Sequence, residues 1–351
     1  MSYIDNIRKV IPYTPGEQPK VEGEIIKLNT NEFPYPPSPM VEKALDELEM
    51  DSLRLYPNVT AAPIAKALSE YYGFGEDEIF VGVGSDDVLA NCFLTFFGSD
   101  TPILFPEITY SFYDVWAELY KIPYKMVPLN DDFTINIQDY KQKNGGVVIA
   151  NPNAPTSIAL PLSSIEEIVA SNQDSIVIID EAYVDFGGES AMPLVRKYDN
   201  LVVVQTFSKS RAAAGMRIGY AVANKTLIKY LNDVKFSINS YTMNQMALAA
   251  GVAAVKDDEY FKETVARVIE TRKWAKEELV KLGFNALSSS ANFLFVTHKD
   301  KPAKEIFEYL KTKNIFVRYF SKPKIDNYLR VTIGTDDQMK KLIAVLTEYL
   351  G

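Results

Sequence analysis

Three kinds of side chain in this sequence could do covalent or charge-based chemistry if the fold brings them together: a lysine, Lys209, a carboxylate, Asp180, and the arginines Arg217, Arg318 and Arg330. Lys209 follows the apolar run Leu201-Val202-Val203-Val204-Gln205-Thr206, which delivers it to the carboxyl end of a strand, where open α/β sheets bind ligands. Once it loses its proton, an amine there can form an imine with a carbonyl, and a partly desolvated, electropositive setting favours that form. Taken alone, a lysine at such a place is more often a surface charge. Asp180 ends the strand-like run Ser175-Ile176-Val177-Ile178-Ile179. A charge buried there is costly unless a cation or donor meets it, so something basic should face it. An isolated aspartate at a strand end otherwise caps a helix or turns to solvent.

Val81-Gly82-Val83-Gly84-Ser85-Asp86 reads as a strand turning into a helix, whose free amides could receive a phosphate. A simple strand-to-helix turn explains it equally well. It is not the dinucleotide fingerprint, because Asp87 stands where the third glycine would be, and no P-loop lysine follows. Arg217 lies beyond the small residues Ala212-Ala213-Ala214-Gly215 and could pair bidentately with a phosphate.

The elements that must position these groups are legible as a pattern. Short Val/Ile/Leu runs at 79–83, 103–105, 147–150, 176–180, 201–206 and 218–222 alternate with helical stretches such as 85–97 and 163–171. That alternation predicts an α/β fold with a mostly parallel sheet covered on both faces. After Tyr241 come long helical stretches at 243–255 and 258–282, the second a connecting helix with one charged face. Strands near 292–296, 315–317 and 328–333, with helices at 301–313 and from Thr335, predict a small α+β domain. The expected division is an arm at 1–30, a large domain at 31–260 and a small domain at 261–351 to which the N-terminal segment contributes.

With 351 residues and 47% hydrophobic composition, the chain reads as a soluble globular protein of one large and one small domain. Its net charge of −9 opposes nucleic acid and anionic lipid as partners, so any anionic ligand must be held by local groups. No apolar run approaches a membrane span, and the N-terminus lacks the apolar core of a secretory signal, which predicts a cytoplasmic location. The single cysteine, Cys92, reads as a buried structural thiol, and the single histidine, His298, as a solvated loop residue; together they exclude a Cys/His zinc site.

Taken in order along the chain, Pro12-Tyr13-Thr14-Pro15-Gly16, Leu28-Asn29-Thr30-Asn31-Glu32, Tyr56-Pro57, Gly84-Ser85-Asp86, Thr109-Tyr110, Asn151-Pro152-Asn153-Ala154-Pro155-Thr156, Asp180-Glu181-Ala182-Tyr183, Ser208-Lys209, Gly215-Met216-Arg217 and Leu329-Arg330-Val331-Thr332-Ile333-Gly334-Thr335 form a joint signature. Through it the chain resembles the fold-type I aminotransferases, and among them the histidinol-phosphate aminotransferases. The resemblance implies pyridoxal 5′-phosphate as cofactor, held as a Schiff base on Lys209. Asp180 would pair with the pyridine nitrogen, Tyr183 would hydrogen-bond the phenolate oxygen and Tyr110 would stack on the ring. Ser85, Asp86, Ser208 and Arg217 would hold the phosphate. Tyr56 would arrive from a second subunit, so a homodimer is implied. Arg318 and Arg330 would take the substrate's phosphate or carboxylate, with Tyr13, from the neighbouring arm, and Asn31 lining the same pocket. Without the resemblance, Arg330 reads as a surface strand residue in a salt bridge.

The sequence departs from the family at Ala154, where most relatives carry an asparagine that bonds the phenolate oxygen; Asn153 or Asn151 would have to reach instead. The implied reaction is L-histidinol phosphate plus 2-oxoglutarate to imidazole-acetol phosphate plus L-glutamate, in histidine biosynthesis. The alternatives are an aromatic amino-acid aminotransferase on the same scaffold, a threonine-phosphate-type decarboxylase, and a non-enzymatic cofactor-binding regulator. The last would need a DNA-binding domain ahead of a resemblance that already begins by Pro12.

Overall fold

The architecture comes from a computed structural model that describes residues 2–19 and 23–351. In chain order the strands are β1 (Ile26–Lys27), β2 (Ile79–Gly82), β3 (Ile103–Pro106), β4 (Tyr124–Val127), β5 (Gly146–Ala150), β6 (Val177–Asp180), β7 (Leu201–Thr206), β8 (Gly219–Ala223), β9 (Phe284–Ala286), β10 (Phe293–His298), β11 (Ile315–Phe316), β12 (Arg318–Tyr319) and β13 (Leu329–Thr332). The α-helices are α1 (Pro39–Asp46), α2 (Ala62–Tyr72), α3 (Ser85–Phe96), α4 (Tyr113–Tyr120), α5 (Leu162–Ser171), α6 (Lys225–Ile238), α7 (Gln245–Lys256), α8 (Asp258–Lys281), α9 (Ala303–Thr312) and α10 (Asp336–Leu350).

Seven strands form one sheet in the order β2-β8-β7-β6-β5-β3-β4, parallel throughout except for β8, which runs antiparallel to β2 and β7. Its central strands are apolar on both faces because both are covered. Val177, Ile179, Leu201 and Val203 enter the layer packed by α2, α5 and α7, while Ile178, Val202 and Val204 enter the opposite layer, packed by α3, α4 and α6. The carboxyl ends of β3, β6 and β7 therefore open at one edge, and the turn out of β2 joins them. Cys92 lies in α3, fully buried, and burial pushes its thiol up from its usual range.

A second, antiparallel sheet has the order β12-β13-β10-β9, and β1 pairs in parallel with β11 beside it. α8, α9 and α10 supply the apolar faces of this unit, Val268, Ala275 and Leu279, then Ile306 and Leu310, then Leu342 and Leu346. Ile26 and Leu28 join the same core, so residues expected to be arm are structural here. α8, 24 residues and about 36 Å long, runs unbroken across position 260.

Two sequence expectations are corrected. His298 is no solvated loop residue: it closes β10, is 7% exposed, packs against Phe284, and its Nδ1 accepts the amides of Asp300 and Lys301. The edge strand β4 was not anticipated, because Tyr124-Lys125-Met126-Val127 is mostly half-exposed and carries no continuous apolar run. No helix among the described residues is long and apolar enough to cross a membrane.

Candidate active site

A cavity of about 580 Å³ opens where the carboxyl ends of the large sheet face β12 and β13. Of the residues singled out from the sequence, Lys209, Asp180, Tyr183, Ser85, Asp86, Tyr110, Ser208, Arg217, Tyr13, Asn31, Arg318 and Arg330 all line it. Asn153 and Tyr56 do not.

On its sheet side, β6 ends in Asp180 and β7 leads to Lys209, two neighbouring parallel strands that aim a carboxylate and an amine into one space. Asp180 is 5% exposed; Tyr113 donates its hydroxyl to Oδ2 at 2.8 Å and the Ala182 amide donates to Oδ1 at 3.2 Å. Burial raises its carboxyl to about 6, opposed by those two donors. The Lys209 Nζ lies 3.5 Å from the Thr30 carbonyl and 5.6 Å from the Tyr183 ring centre. The Tyr183 oxygen accepts a hydrogen bond from Asn31 Nδ2 at 2.9 Å. Asn31 has a left-handed backbone, φ 56°, held by Thr332, which both accepts its amide and donates to its Oδ1 at 3.0 Å, and by Asn292, which donates to its carbonyl.

The turn from β2 into α3 builds an anion cradle. Gly84, φ 86°, precedes the helix with no side chain capping it, so the amides at Ser85 and Asp86 point outward. A Cβ at Gly84 would lie 2.4 Å from Arg217 Nη2, and one at Gly219 would lie 2.3 Å from the Ser85 nitrogen, so both positions need glycine for close approach. Arg217 sits at φ 54° and donates Nη1 to Ser208 Oγ at 3.3 Å; its Nη2 is 3.5 Å from Asp86 Oδ2, and Tyr110 donates to the other Asp86 oxygen at 2.8 Å.

Across the cavity, Arg318 and Arg330 are register partners on β12 and β13. Neither has a carboxylate partner among the described residues. Arg330 donates Nη2 to the Asn29 carbonyl at 2.9 Å, its Nε is buried without a partner, and burial pulls its guanidinium below the usual range, a shift that nearby Arg318 reinforces. Like charges directly opposite on a sheet destabilise it, so this pair does not serve the stability of the fold. The expectation of a surface salt bridge at Arg330 is thereby corrected. Tyr13 of this chain is stacked on Phe112 at 4.1 Å and lines the cavity.

Asn153 stands behind the cavity wall with its amide spent on the Ile108 carbonyl and Thr156 Oγ1, and its oxygen on Thr109. Asn151 is likewise engaged, with Leu160. Asn31 is the side chain that reaches the Tyr183 hydroxyl. Tyr56 is 80% exposed and stacked on Tyr241, outside this chain's own cavity. Sequence reasoning missed Tyr113, which opens α4 three residues after the cavity residue Tyr110 and is fully buried behind it.

The model of the family "Aminotransferase class I and II" matches residues 23–346. The chain belongs to this family. It is 53% identical over 336 residues to the histidinol-phosphate aminotransferase of Brachyspira hyodysenteriae, covering 95% of each chain. It is 50% identical over 350 residues to that of Lactococcus lactis subsp. cremoris, covering 100% of this chain and 98% of the relative. Among solved structures, the histidinol-phosphate aminotransferase of Sinorhizobium meliloti in complex with pyridoxal-5′-phosphate superposes with a TM-score of 0.85 at 22% identity, covering 93% of this chain and 90% of that one. The L-threonine-O-3-phosphate decarboxylase of Porphyromonas gingivalis has the same fold, with a TM-score of 0.79 at 21% identity, covering 93% of this chain and 99% of that one. The residues present fit pyridoxal 5′-phosphate, the cofactor of such aminotransferases: a glycine-dependent cradle for its phosphate, a buried carboxylate for its pyridine nitrogen and an amine for its aldehyde share one cavity.

Proposed function

We propose that this aminotransferase exchanges an amino group between L-histidinol phosphate and 2-oxoglutarate, giving imidazole-acetol phosphate and L-glutamate, with pyridoxal 5′-phosphate on Lys209. The observation that carries the substrate assignment is the Arg318–Arg330 pair, two guanidiniums with no carboxylate partner among the described residues, in the cavity that also holds Lys209 and Asp180. A phosphate and a carboxylate are both bidentate partners for such a pair, so one site can take the two substrates alternately.

When bound, the cofactor supplies an electron-withdrawing pyridinium that accepts the electron pair freed at the substrate's α-carbon. Asp180 would present a carboxylate to the pyridine nitrogen and so hold its proton. Ser85, Asp86, Ser208 and Arg217 would hold the phosphate end, and Tyr110 would cover the ring. Because Asn31 donates to the Tyr183 oxygen, the Tyr183 hydroxyl proton is free for another acceptor, and the cofactor's phenolate oxygen would be that acceptor. Lys209 Nζ would hold the cofactor's aldehyde carbon and would move the proton at the substrate's α-carbon. Tyr13 and Phe112 roof the cavity and exclude water while this happens.

The same reading divides the chain into a large unit that carries Lys209 and a small one that carries Arg318 and Arg330, in a cytoplasmic protein acting on small hydrophilic anions. It also includes a homodimer in which Tyr56 serves the partner's phosphate site. Support comes from large apolar side chains left exposed at Met50, Leu55, Tyr56, Phe236, Ile238 and Tyr241, of which Tyr56 stacks on Tyr241. The test of substrate is a set of single half-reactions: enzyme with its cofactor in the aldehyde form is mixed separately with the amino donors histidinol phosphate, histidine and phenylalanine, and amination of the cofactor is followed. Histidinol phosphate is expected to give the largest kcat/KM. If phenylalanine does, the activity is that of an aromatic amino-acid aminotransferase.

A further inference from the structure

Asp180 can meet a pyridinium only while it is ionised, yet it lies at the bottom of an apolar wall. The charged groups facing it are few. Asp86, from the start of α3, pushes it toward its neutral form; Lys209, from the segment after β7, opposes that, and Asp86 is itself tied to Tyr110 and Arg217. Its two hydrogen-bond donors are the Ala182 amide, next to it in the chain, and the Tyr113 hydroxyl from α4. Tyr113 is 0% exposed and its ring packs among Phe93, Phe105 and Trp116, a setting that phenylalanine would satisfy equally well. The hydroxyl therefore needs its own explanation. Burial and the Asp180 charge hold this phenol far above its ordinary pKa, so it stays a donor and never competes as an anion. A donor to the charged form favours that form.

We propose that Tyr113 is a positioning residue of the amino-transfer site, whose hydroxyl keeps Asp180 anionic and aimed into the cavity, so that the strength of cofactor binding is set from α4. The inference rests on the pyridoxal-phosphate reading of the site. In the cofactor-free protein carrying ¹³C-carboxyl aspartate, the Asp180 signal is followed against pH and assigned by its loss in Asp180→Asn. Its midpoint, about 6 in the unaltered chain, rises by roughly a unit or more in Tyr113→Phe. Should the phenylalanine variant not fold, 3,5-difluorotyrosine at position 113, a stronger donor, must lower the midpoint instead.

In the second arm, pyridoxal 5′-phosphate is titrated into each variant. At pH ~5, below both midpoints, Tyr113→Phe binds it about tenfold more weakly, and the loss vanishes in the Asp180→Asn background because both changes remove one interaction. A midpoint that does not move, or an equal loss of binding in both backgrounds, overturns the proposal and leaves Tyr113 a packing residue. If the unaltered protein binds no pyridoxal 5′-phosphate, the cofactor reading fails, while the carboxyl titration still decides whether Tyr113 governs Asp180.

Discussion

At the scale of single residues, the proposed role of Arg318 and Arg330 would separate substrate binding from cofactor binding. Both arginines belong to the strands opposite the large sheet, while the phosphate cradle of Gly84, Ser85, Ser208 and Arg217 belongs to the sheet itself. Replacing Arg330 with leucine should lower kcat/KM for the anionic donor by roughly 100-fold, since a charge-assisted hydrogen bond is lost, yet leave pyridoxal 5′-phosphate affinity unchanged. Steady-state kinetics and a cofactor titration on the same variant check both halves. The sequence exposes such groups when they sit at ends of apolar runs, as Asp180 and Lys209 do. It hides a side chain whose direction depends on distant partners: Asn153 looks like a cofactor contact but is consumed by Ile108, Thr109 and Thr156, whereas Asn31 reaches Tyr183 only because Thr332, far along the chain, holds it.

At the scale of elements, β6 ends in two successive buried acids that point to opposite sides. Asp180 enters the cavity, while Glu181 enters a polar network in which Ala191, Ser190 and Gln205 donate to it. Burial raises Asp180 to about 6 and Glu181 to about 7, against ordinary values of 3.8 and 4.5. The folded protein therefore holds protons that the unfolded chain has released. Stability falls as pH rises from about 4 through 7, by on the order of 2–3 kcal/mol for each group. Cofactor-free Asp180→Asn should melt at a higher temperature than the unaltered chain above pH ~7 and show a shallower loss between pH ~4 and ~6; thermal unfolding across that range is the measurement. The elements themselves are readable where burial on both faces makes a run continuous, as in β5, β6 and β7. Reading fails at β4, an edge strand with one wet face, and at His298, whose burial is imposed by neighbours in α8 and β9 that no local pattern reveals.

For the whole molecule, the position of Tyr56 outside its own cavity gives a direct test of shared sites. Lys209→Ala and Tyr56→Ala are each expected to be impaired as homodimers. Mixed, dissociated and reassembled, they should regain activity, because each hybrid then holds one site with an intact lysine and an intact tyrosine from the other copy. No gain on mixing would show that Tyr56 does not serve a neighbour. A different consequence follows from β1. Ile26 pairs with Ile315 and shares a core with Leu346, so a segment made before the large sheet must wait for one made after it before it has these partners to pack against. The sheet that carries Asp180 and Lys209 can form as soon as its own strands have emerged, whereas the layer that carries Arg318 and Arg330 closes only once β13 and α10 have followed, so the cavity is completed long after its lysine has been made.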